Sequence, residues 1–260
     1  MDKDNKPPFL RLAGVKKTFM VNGQPFTAVS DVTMDIAEGE LVSIVGPSGC
    51  GKSTVLKIVS GLHAADEGVI EIGNEQSPFT PGRDIGMVFQ QALLLNWRTV
   101  LDNVLLPAEI LGLPRGESRE RAENLLDLVG LTKFKSAYPR QLSGGMQQRA
   151  SIARALVHDP KLVLMDEPFG ALDALTRERM NLELLRIWRE SRKTILFVTH
   201  GIQEAVLLGT QVAVMTPSPA RMADHFAIEL EEPRTLMVKT SEQFGAYTRK
   251  IYNLLGVDGE

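Results

Sequence analysis

A glycine-rich segment in the first quarter of the chain has the residue types and spacing of a phosphate-binding loop. Glycines let consecutive backbone N–H groups surround phosphate oxygens, and a helix opening at Ser53 would direct the positive end of its dipole towards them. Lys52 would reach the β- and γ-phosphates, and Ser53 would ligate Mg²⁺. This pattern predicts that the chain binds a nucleoside triphosphate. The segment follows an apolar run at residues 41–45 and consists of Gly46, Pro47, Ser48, Gly49, Cys50, Gly51, Lys52, Ser53 and Thr54.

A second group of residues that could take part in catalysis is a pair of carboxylates after another apolar run. Residues 162–165 favour a buried strand, and Asp166 and Glu167 follow at its carboxyl end. Asp166 would hold the metal, while Glu167, which points the other way, would polarise a water for in-line attack on the γ-phosphate. An ordinary acidic turn is the alternative interpretation.

The elements that must position these residues alternate between strands and helices. The segments 9–15 and 29–36 alternate like an antiparallel sheet, whereas residues 100–131 have helical spacing, clearest at 119–129. We expect further strands at 68–73, 85–89, 162–165, 194–198 and 212–215, and helices after Ser53 and at 150–156, 175–191 and 241–255. Strands that alternate with helices form a parallel sheet whose carboxyl ends carry the ligand-binding loops. The chain is therefore predicted to be α/β.

Composition narrows the classes of protein that fit. The 260 residues include 29 Lys and Arg against 32 Asp and Glu, giving a net charge of −3. Without a basic run, the chain lacks the electrostatic footprint of a nucleic-acid binder, so no nucleic acid is expected as a partner. The polar start and the absence of a long apolar stretch predict a cytosolic protein. The single cysteine, Cys50, is interpreted as a small loop side chain, with a catalytic thiol as the alternative.

A third motif, Leu142-Ser143-Gly144-Gly145-Met146-Gln147-Gln148-Arg149, lies between the phosphate loop and the acidic pair. Its serine hydroxyl and glycine amides, at the start of a helix, would form another anion site. This order of motifs resembles the ATP-binding cassette (ABC) transporter ATPases. In that family two subunits pack head to tail, and each signature caps the γ-phosphate held by the other. The resemblance implies a homodimer and assigns this role in trans to Leu142, Ser143, Gly144, Gly145 and Gln147; Met146 stands where the family often has Gln.

The resemblance also implies roles for isolated residues. Gln90, or its neighbour Gln91, matches a glutamine that senses the metal and the γ-phosphate. His200 matches a histidine that contacts the γ-phosphate, although Gly201 follows it where the family often has Asp. Asp173 matches an aspartate that communicates across the dimer. The aromatic residue that stacks on adenine would be Phe19 or, alternatively, Phe26.

The fold that the resemblance implies is a P-loop NTPase (RecA-like) core with a mostly parallel sheet, an N-terminal antiparallel β subdomain and an inserted helical subdomain. All 260 residues would form a single ABC ATPase domain. Its core would cover about 1–90 and 156–235, its helical subdomain about 91–155, and its C-terminal helical tail about 236–260. ATP and Mg²⁺ would be its cofactors.

Less specific sequence features indicate one branch of the family. The segments 93–104, 138–141 and 169–177 resemble those of bacterial importers for nitrate, sulfonates, taurine and bicarbonate. The implied function is ATP hydrolysis that energises a membrane importer, with permease subunits as partners, a substrate-binding protein as an indirect partner, and a location on the inner face of the cell membrane. The apolar stretch around Trp97 is either core of the helical insert or a rim that receives the permease. The alternatives are a soluble cassette ATPase of DNA repair or translation, and a small-molecule kinase.

Overall fold

The computed structural model describes residues 7–74 and 77–256, and the chain divides into two compact units. The first unit combines the segment up to residue 80 with the segment from residue 194 onwards, and the second comprises residues 81–193. The start of the chain, residues 1–6, on which the expectation of a cytosolic protein partly depended, lies outside the described residues. No helix in the described part of the chain has both the length and the apolar character of a membrane span.

The first unit contains a sheet with an antiparallel and a parallel part. Its strands are β1 (Leu10–Val21), β2 (Gln24–Ile36), β3 (Leu41–Val45), β4 (Glu67–Ile72), β7 (Thr194–Thr199), β8 (Gln211–Met215) and β9 (Ala220–Ala227). Their order across the sheet is β4-β1-β2-β9-β8-β3-β7. β1 runs antiparallel to β2 and β4, whereas β3 is parallel to both β7 and β8. β9 joins the two parts, because it pairs with β2 on one side and β8 on the other.

Among its described residues this unit has three α-helices: α1 (Lys52–Val59), α6 (Ile202–Leu208) and α7 (Glu242–Leu255). Each residue of β3 is buried, and α6 packs against this strand, whereas α1 contacts β7 and β2. α7 begins where the Ser241 hydroxyl accepts a hydrogen bond from the Phe244 backbone, and it ends at Gly256 in the left-handed conformation.

The second unit contains two parallel strands and four α-helices. The strands are β5 (Ile85–Val88) and β6 (Leu162–Asp166), and the helices are α2 (Val100–Ile110), α3 (Arg115–Leu128), α4 (Gly144–Leu156) and α5 (Ala174–Ser191). Side-chain oxygens of Thr99, Ser143 and Asp173 cap the starts of α2, α4 and α5. The acidic pair and the third motif of the sequence therefore both lie in this unit.

The strand pairings confirm the predicted α/β class, including its antiparallel amino-terminal part and its parallel strands. Two predictions differ from the structure in extent. The first two strands are longer than expected, and the helical spacing at 100–131 belongs to two helices, because the chain turns at Gly112, where φ is +64°, and continues into Pro114. The predicted division into core, helical subdomain and tail stays a prediction.

Candidate functional site

The phosphate loop leaves β3 at Gly46 and enters α1 after Gly51. A Cβ atom at Gly51 would lie 2.8 Å from the Ala28 carbonyl oxygen, and φ is +112° there. A Cβ atom at Gly46 would lie 2.6 Å from the Met215 carbonyl oxygen. Both positions therefore require glycine, because neighbouring backbone approaches the loop closely. The intervening Pro47, Ser48 and Gly49 are exposed and free to face a ligand.

Lys52 turns its side chain back into this loop. Its Nζ atom donates hydrogen bonds of 2.9 Å to the carbonyl oxygens of both Gly46 and Pro47, and the residue is only 4% exposed. Ser53 and Thr54 follow in the first turn of α1 and are half-buried. The loop thus places a buried cation and a helix N-terminus at one point, which is the arrangement that binds phosphate. Cys50 is buried, which fits a small packing side chain better than a reactive thiol.

His200 lies beside the start of the phosphate loop. Val45 at the end of β3 pairs with Thr199 at the end of the parallel β7, so Gly46 and His200 are the next residues on adjacent strands. His200 is exposed. The Thr199 hydroxyl accepts a hydrogen bond from the Gly201 backbone at 2.9 Å and donates one to the Glu204 carboxylate. Although Gly201 has no side chain to brace this turn, Thr199 and Glu204 do so.

The two aromatic candidates for adenine stacking are cross-strand partners. Phe19 of β1 pairs with Phe26 of β2, and in an antiparallel sheet such partners project from the same face. Phe19 is half-buried and has the His63 ring edge-on to it, with 5.5 Å between ring centroids. Phe26 is 47% exposed. Both remain candidates, but the contacts of Phe19 fix the orientation of its ring.

In the second unit, Gln90 and Glu167 lie at equivalent positions beyond two paired strands. Val88 pairs with Met165, and each candidate is two residues further along its chain segment. A Cβ atom at Gly170 would lie 3.2 Å from the Gln90 Nε2 atom and 3.7 Å from the Glu167 Oε2 atom. The structure therefore brings both side chains to Gly170, while Asp166 ends β6 half-buried. Glu167 itself has φ +44°, a conformation found where function holds the backbone under strain.

The glycine-rich third motif begins α4. The Ser143 hydroxyl accepts a hydrogen bond from the Met146 backbone at 3.4 Å, and Ser143 and Gly144 are exposed. Leu142 is buried and anchors the loop. The Gln147 amide donates to the Pro139 and Leu142 carbonyl oxygens at 3.0 and 3.3 Å, so it supports this loop from within.

Asp173 lies next to this motif. Its carboxylate caps α5 by accepting a hydrogen bond from the Thr176 backbone at 3.0 Å, and the hydrogen bonds from Thr176 lower the pKa of Asp173. The Thr176 methyl group in turn lies 3.0 Å from where a Cβ atom of Gly145 would be. Two exposed helix N-termini are therefore adjacent in the second unit, one of them carrying an ionised carboxylate.

Two further residues hold the segment that carries Gln90: Gln148, which had no predicted role beyond membership of the third motif, and Arg154, which the sequence did not single out. Gln148 donates to the Phe89 carbonyl oxygen, and Arg154 donates to those of Ala92 and Leu93. These contacts join positions about 60 residues apart in the chain, so no local pattern could have revealed them.

Comparison with known proteins identifies relatives along almost all of the chain. The family described as ABC transporter matches residues 29–170, which include the phosphate loop, Gln90, the glycine-rich motif and the acidic pair. An uncharacterized ABC transporter ATP-binding protein of Methanocaldococcus jannaschii is 45% identical over 253 residues, covering 97% of this chain and 93% of the relative. The taurine import ATP-binding protein TauB of Rhizobium johnstonii is 44% identical over 238 residues, covering 90% of each.

At least one solved structure has a similar fold. A dimeric structure of an ATP-binding cassette in a post-hydrolysis state, bound to ADP and Pi, superposes with a TM-score of 0.72. It is 35% identical in sequence, and the match covers 85% of this chain and 99% of that one.

Proposed function

The chain belongs to the ABC transporter family and is an ATPase, and we propose that it energises the import of a small solute such as taurine, another sulfonate or nitrate through a membrane permease. The predicted family resemblance, P-loop NTPase fold and ATPase activity are confirmed by the comparisons. The observation that carries the proposal is the exposed, Ser143-capped start of α4, an anion site additional to the phosphate loop. A small-molecule kinase has no use for a second site of this kind.

ATP binding rests on the first unit. The phosphate loop, Gly46 to Thr54, surrounds the triphosphate with backbone N–H groups, and Lys52 exchanges its loop carbonyl partners for phosphate oxygens. His200, beside the loop, contacts the γ-phosphate. The ring of Phe19, or else that of Phe26, stacks on adenine.

Mg²⁺ would be held by oxygen donors, which suits the side chains available. Ser53 lies in the first turn of α1, Asp166 ends β6, and Gln90 lies two residues beyond the end of β5. When bound, the ion neutralises charge on the β- and γ-phosphate oxygens. Glu167, close to Gln90 at Gly170, acts as the base that polarises the attacking water.

Hydrolysis requires two copies of the chain. We assign the signature of one copy, Leu142, Ser143, Gly144, Gly145 and Gln147, to the γ-phosphate bound by the other; Ser143 and Gly144 are its exposed members. Asp173, adjacent to that helix start through Thr176, reports the state of one site to the other. The solved ATP-binding cassette with the similar fold is a dimer, which supports this assembly.

Permease subunits are the proposed partners, on the inner face of the cell membrane, with a substrate-binding protein delivering the solute. The name of the Rhizobium relative supports import and a sulfonate solute. The apolar stretch around Trp97 has two interpretations, core of the helical insert or a rim that receives the permease. Trp97 and Ile110 are 74% and 75% exposed, which favours the rim.

The test is affinity purification of the tagged chain from detergent-solubilised membranes of its own host. We expect a multispanning membrane protein to co-purify, and we expect Trp97→Ser with Ile110→Ser to lose it while keeping ATPase activity. Met237→Ser is the matched control, because Met237 is 72% exposed but lies in the first unit. Recovery with ribosomal or DNA-repair proteins instead would support the soluble alternative, and phosphate transfer to an acceptor would support a kinase.

The solute is tested separately by uptake. Deleting the gene should abolish uptake of radiolabelled taurine or nitrate, and the intact gene, but not its Glu167→Gln form, should restore it. Unchanged uptake of both solutes, with co-purification intact, would mean that the permease carries something else.

A further inference from the structure

Helix α4 holds the backbone of the segment that carries Gln90 at two places. On one side of Gln90, the Gln148 Nε2 atom donates to the Phe89 carbonyl oxygen at 3.0 Å. On the other side, the Arg154 guanidinium donates to the Ala92 oxygen at 2.7 Å and to the Leu93 oxygen at 2.8 Å. Gln90 therefore lies between two anchored points, both attached to the helix that begins at Ser143.

Both anchors are groups that a protein does not bury without a partner. Gln148 is only 3% exposed, and burial lowers the pKa of Arg154. Desolvating a guanidinium is unfavourable unless strong acceptors replace water, and here two adjacent carbonyl oxygens do so in a fork geometry. Losing the Phe89 acceptor would leave the buried Gln148 donor unsatisfied, and losing the Ala92 acceptor would leave the half-buried Arg154 guanidinium with fewer partners.

The conformation of the segment shows that it is held against its own preference. Leu93 has φ +47°, in the left-handed region that a leucine side chain disfavours. Such a conformation persists only where the surroundings over-determine it, and it is found mostly at functional sites. The Leu93 carbonyl oxygen is one of the two that Arg154 binds.

We propose that Gln148 and Arg154 are positioning residues, which fix Gln90 to the helix that starts with the signature so that the two keep one geometry throughout the ATPase cycle. This inference rests on the proposed role of Gln90 at the metal and the γ-phosphate. Neither residue touches nucleotide. They act through the backbone of residues 89–93. A variant of either residue therefore changes the position of the Gln90 side chain but leaves its amide group intact.

The experiment compares Arg154→Gln with Arg149→Gln in the full-length chain. Arg149 is the matched control, because it also extends from α4 and donates to a backbone carbonyl, that of Val129, at 3.0 Å. Thermolysin cleavage within residues 90–95, which requires local opening of this leucine-rich segment, is measured without nucleotide. ATPase activity is measured against Mg²⁺ concentration. We expect Arg154→Gln to accelerate cleavage at least tenfold, to raise the half-saturating Mg²⁺ concentration several-fold, and to be partly rescued by Arg154→Lys.

A second variant and a double variant complete the test. Gln148→Met, which keeps the side-chain volume, should accelerate thermolysin cleavage of the same segment even if Arg154→Gln fails to fold. In a Gln90→Ala background, Arg154→Gln should no longer change the Mg²⁺ dependence, because the positioned group is gone.

The outcomes separate this inference from the proposed function. Cleavage of Arg154→Gln at the same rate as Arg149→Gln overturns the positioning role. It is also overturned if Gln90→Ala shifts the Mg²⁺ dependence and Arg154→Gln, with faster cleavage, does not. If Gln90→Ala itself shifts nothing, the metal role of Gln90 in the proposed function fails, and the cleavage rate alone decides whether α4 positions the segment.

Discussion

At the scale of single residues, Glu167 combines two properties that a catalytic base needs. Its carboxylate lies beside the Gln90 amide at Gly170, and its backbone is held at φ +44° immediately after β6. Strained backbone conformations of this kind cluster at active sites. Glu167 is therefore placed by the backbone as well as by its neighbours.

The first prediction replaces this carboxylate. Glu167→Gln keeps the shape of the side chain but removes the base, so we expect ATP hydrolysis to fall by about 10²- to 10⁴-fold while ATP binding remains. Light scattering should show an ATP-dependent dimer that persists because turnover is blocked. Full turnover in this variant would contradict the assignment of Glu167 as the base.

A second prediction compares two glycines of the phosphate loop. Gly51→Ala would place a Cβ atom 2.8 Å from the Ala28 oxygen, and we expect it to abolish ATP binding and cost about 1–3 kcal/mol of unfolding free energy. Gly49→Ala is the control, because Gly49 also has a positive φ but its Cβ would meet nothing within 4 Å. Thermal unfolding and ATP titration measure both. Equal losses in the two variants would show that backbone conformation alone, without the close approach, requires glycine.

The sequence was informative where a site is built from consecutive residues. The phosphate loop and the Asp166–Glu167 pair each occupy one short segment, so their spacing alone predicted their chemistry. The hydrogen bonds that Gln148 and Arg154 donate to backbone carbonyl oxygens could not be predicted, because only the fold brings each donor near its acceptor. The same holds for Thr199 and Glu204, which brace the turn after His200.

At the scale of elements, the hairpin of β1 and β2 carries both candidate adenine-stacking rings. Lys17 and Thr18 of β1 bind the Asp66 carboxylate, each at 2.7 Å, beyond the end of α1. The strand that carries Phe19 is thus tied to the segment that follows the phosphate-loop helix. Phe26, on the neighbouring strand, has no aromatic contact among the ring pairs of the described residues.

The third prediction follows from this difference. Phe19→Ala should weaken ATP binding by about 1–3 kcal/mol, the value typical of a base stacked on an aromatic ring, and Phe26→Ala should weaken it less. Tripolyphosphate, which lacks a base, is the control ligand, and its affinity should not change in either variant. Isothermal titration measures all four affinities. A larger loss in Phe26→Ala would reverse the assignment.

Elements with strong periodicity or complete burial were predicted, and short or irregular ones were not. β3, β6 and β7 are mostly apolar, and the structure buries every residue of them except Asp166 at the end of β6. β9 has the sequence Ala-Arg-Met-Ala-Asp-His-Phe-Ala, whose partly exposed side chains lack alternation, and α6 has only seven residues. Both depend on their neighbours for stability, so the local sequence carries little signal for them.

At the scale of the whole molecule, two partly buried histidines link stability to pH. Burial lowers the pKa of His158 in the second unit, against a hydrogen bond with the Ile85 carbonyl oxygen that raises it. Burial likewise lowers the pKa of His225 in the first unit. In the unfolded chain a histidine has a pKa of about 6.5. In the folded protein both rings have a lower pKa and therefore remain neutral at a pH at which the unfolded chain is already protonated.

The fourth prediction gives the sign of this effect. Below about pH 6.5 the unfolded chain binds more protons than the folded one, so the free energy of unfolding falls as the pH decreases through that range. The melting temperature should therefore drop between pH 7.5 and pH 5.5. His158→Gln and His225→Gln should each flatten the drop, whereas a drop of unchanged size in both variants would assign it to other groups.

The pairing of β3 with β7 has a consequence for how the protein is made. Leu41 and Ile195 are direct partners, yet the entire second unit is encoded between them. While the ribosome is still producing that unit, the strand that leads into the phosphate loop has neither of its parallel neighbours. A stalled nascent chain ending before Thr194 should consequently expose an apolar strand edge, attract chaperones and fail to retain ATP.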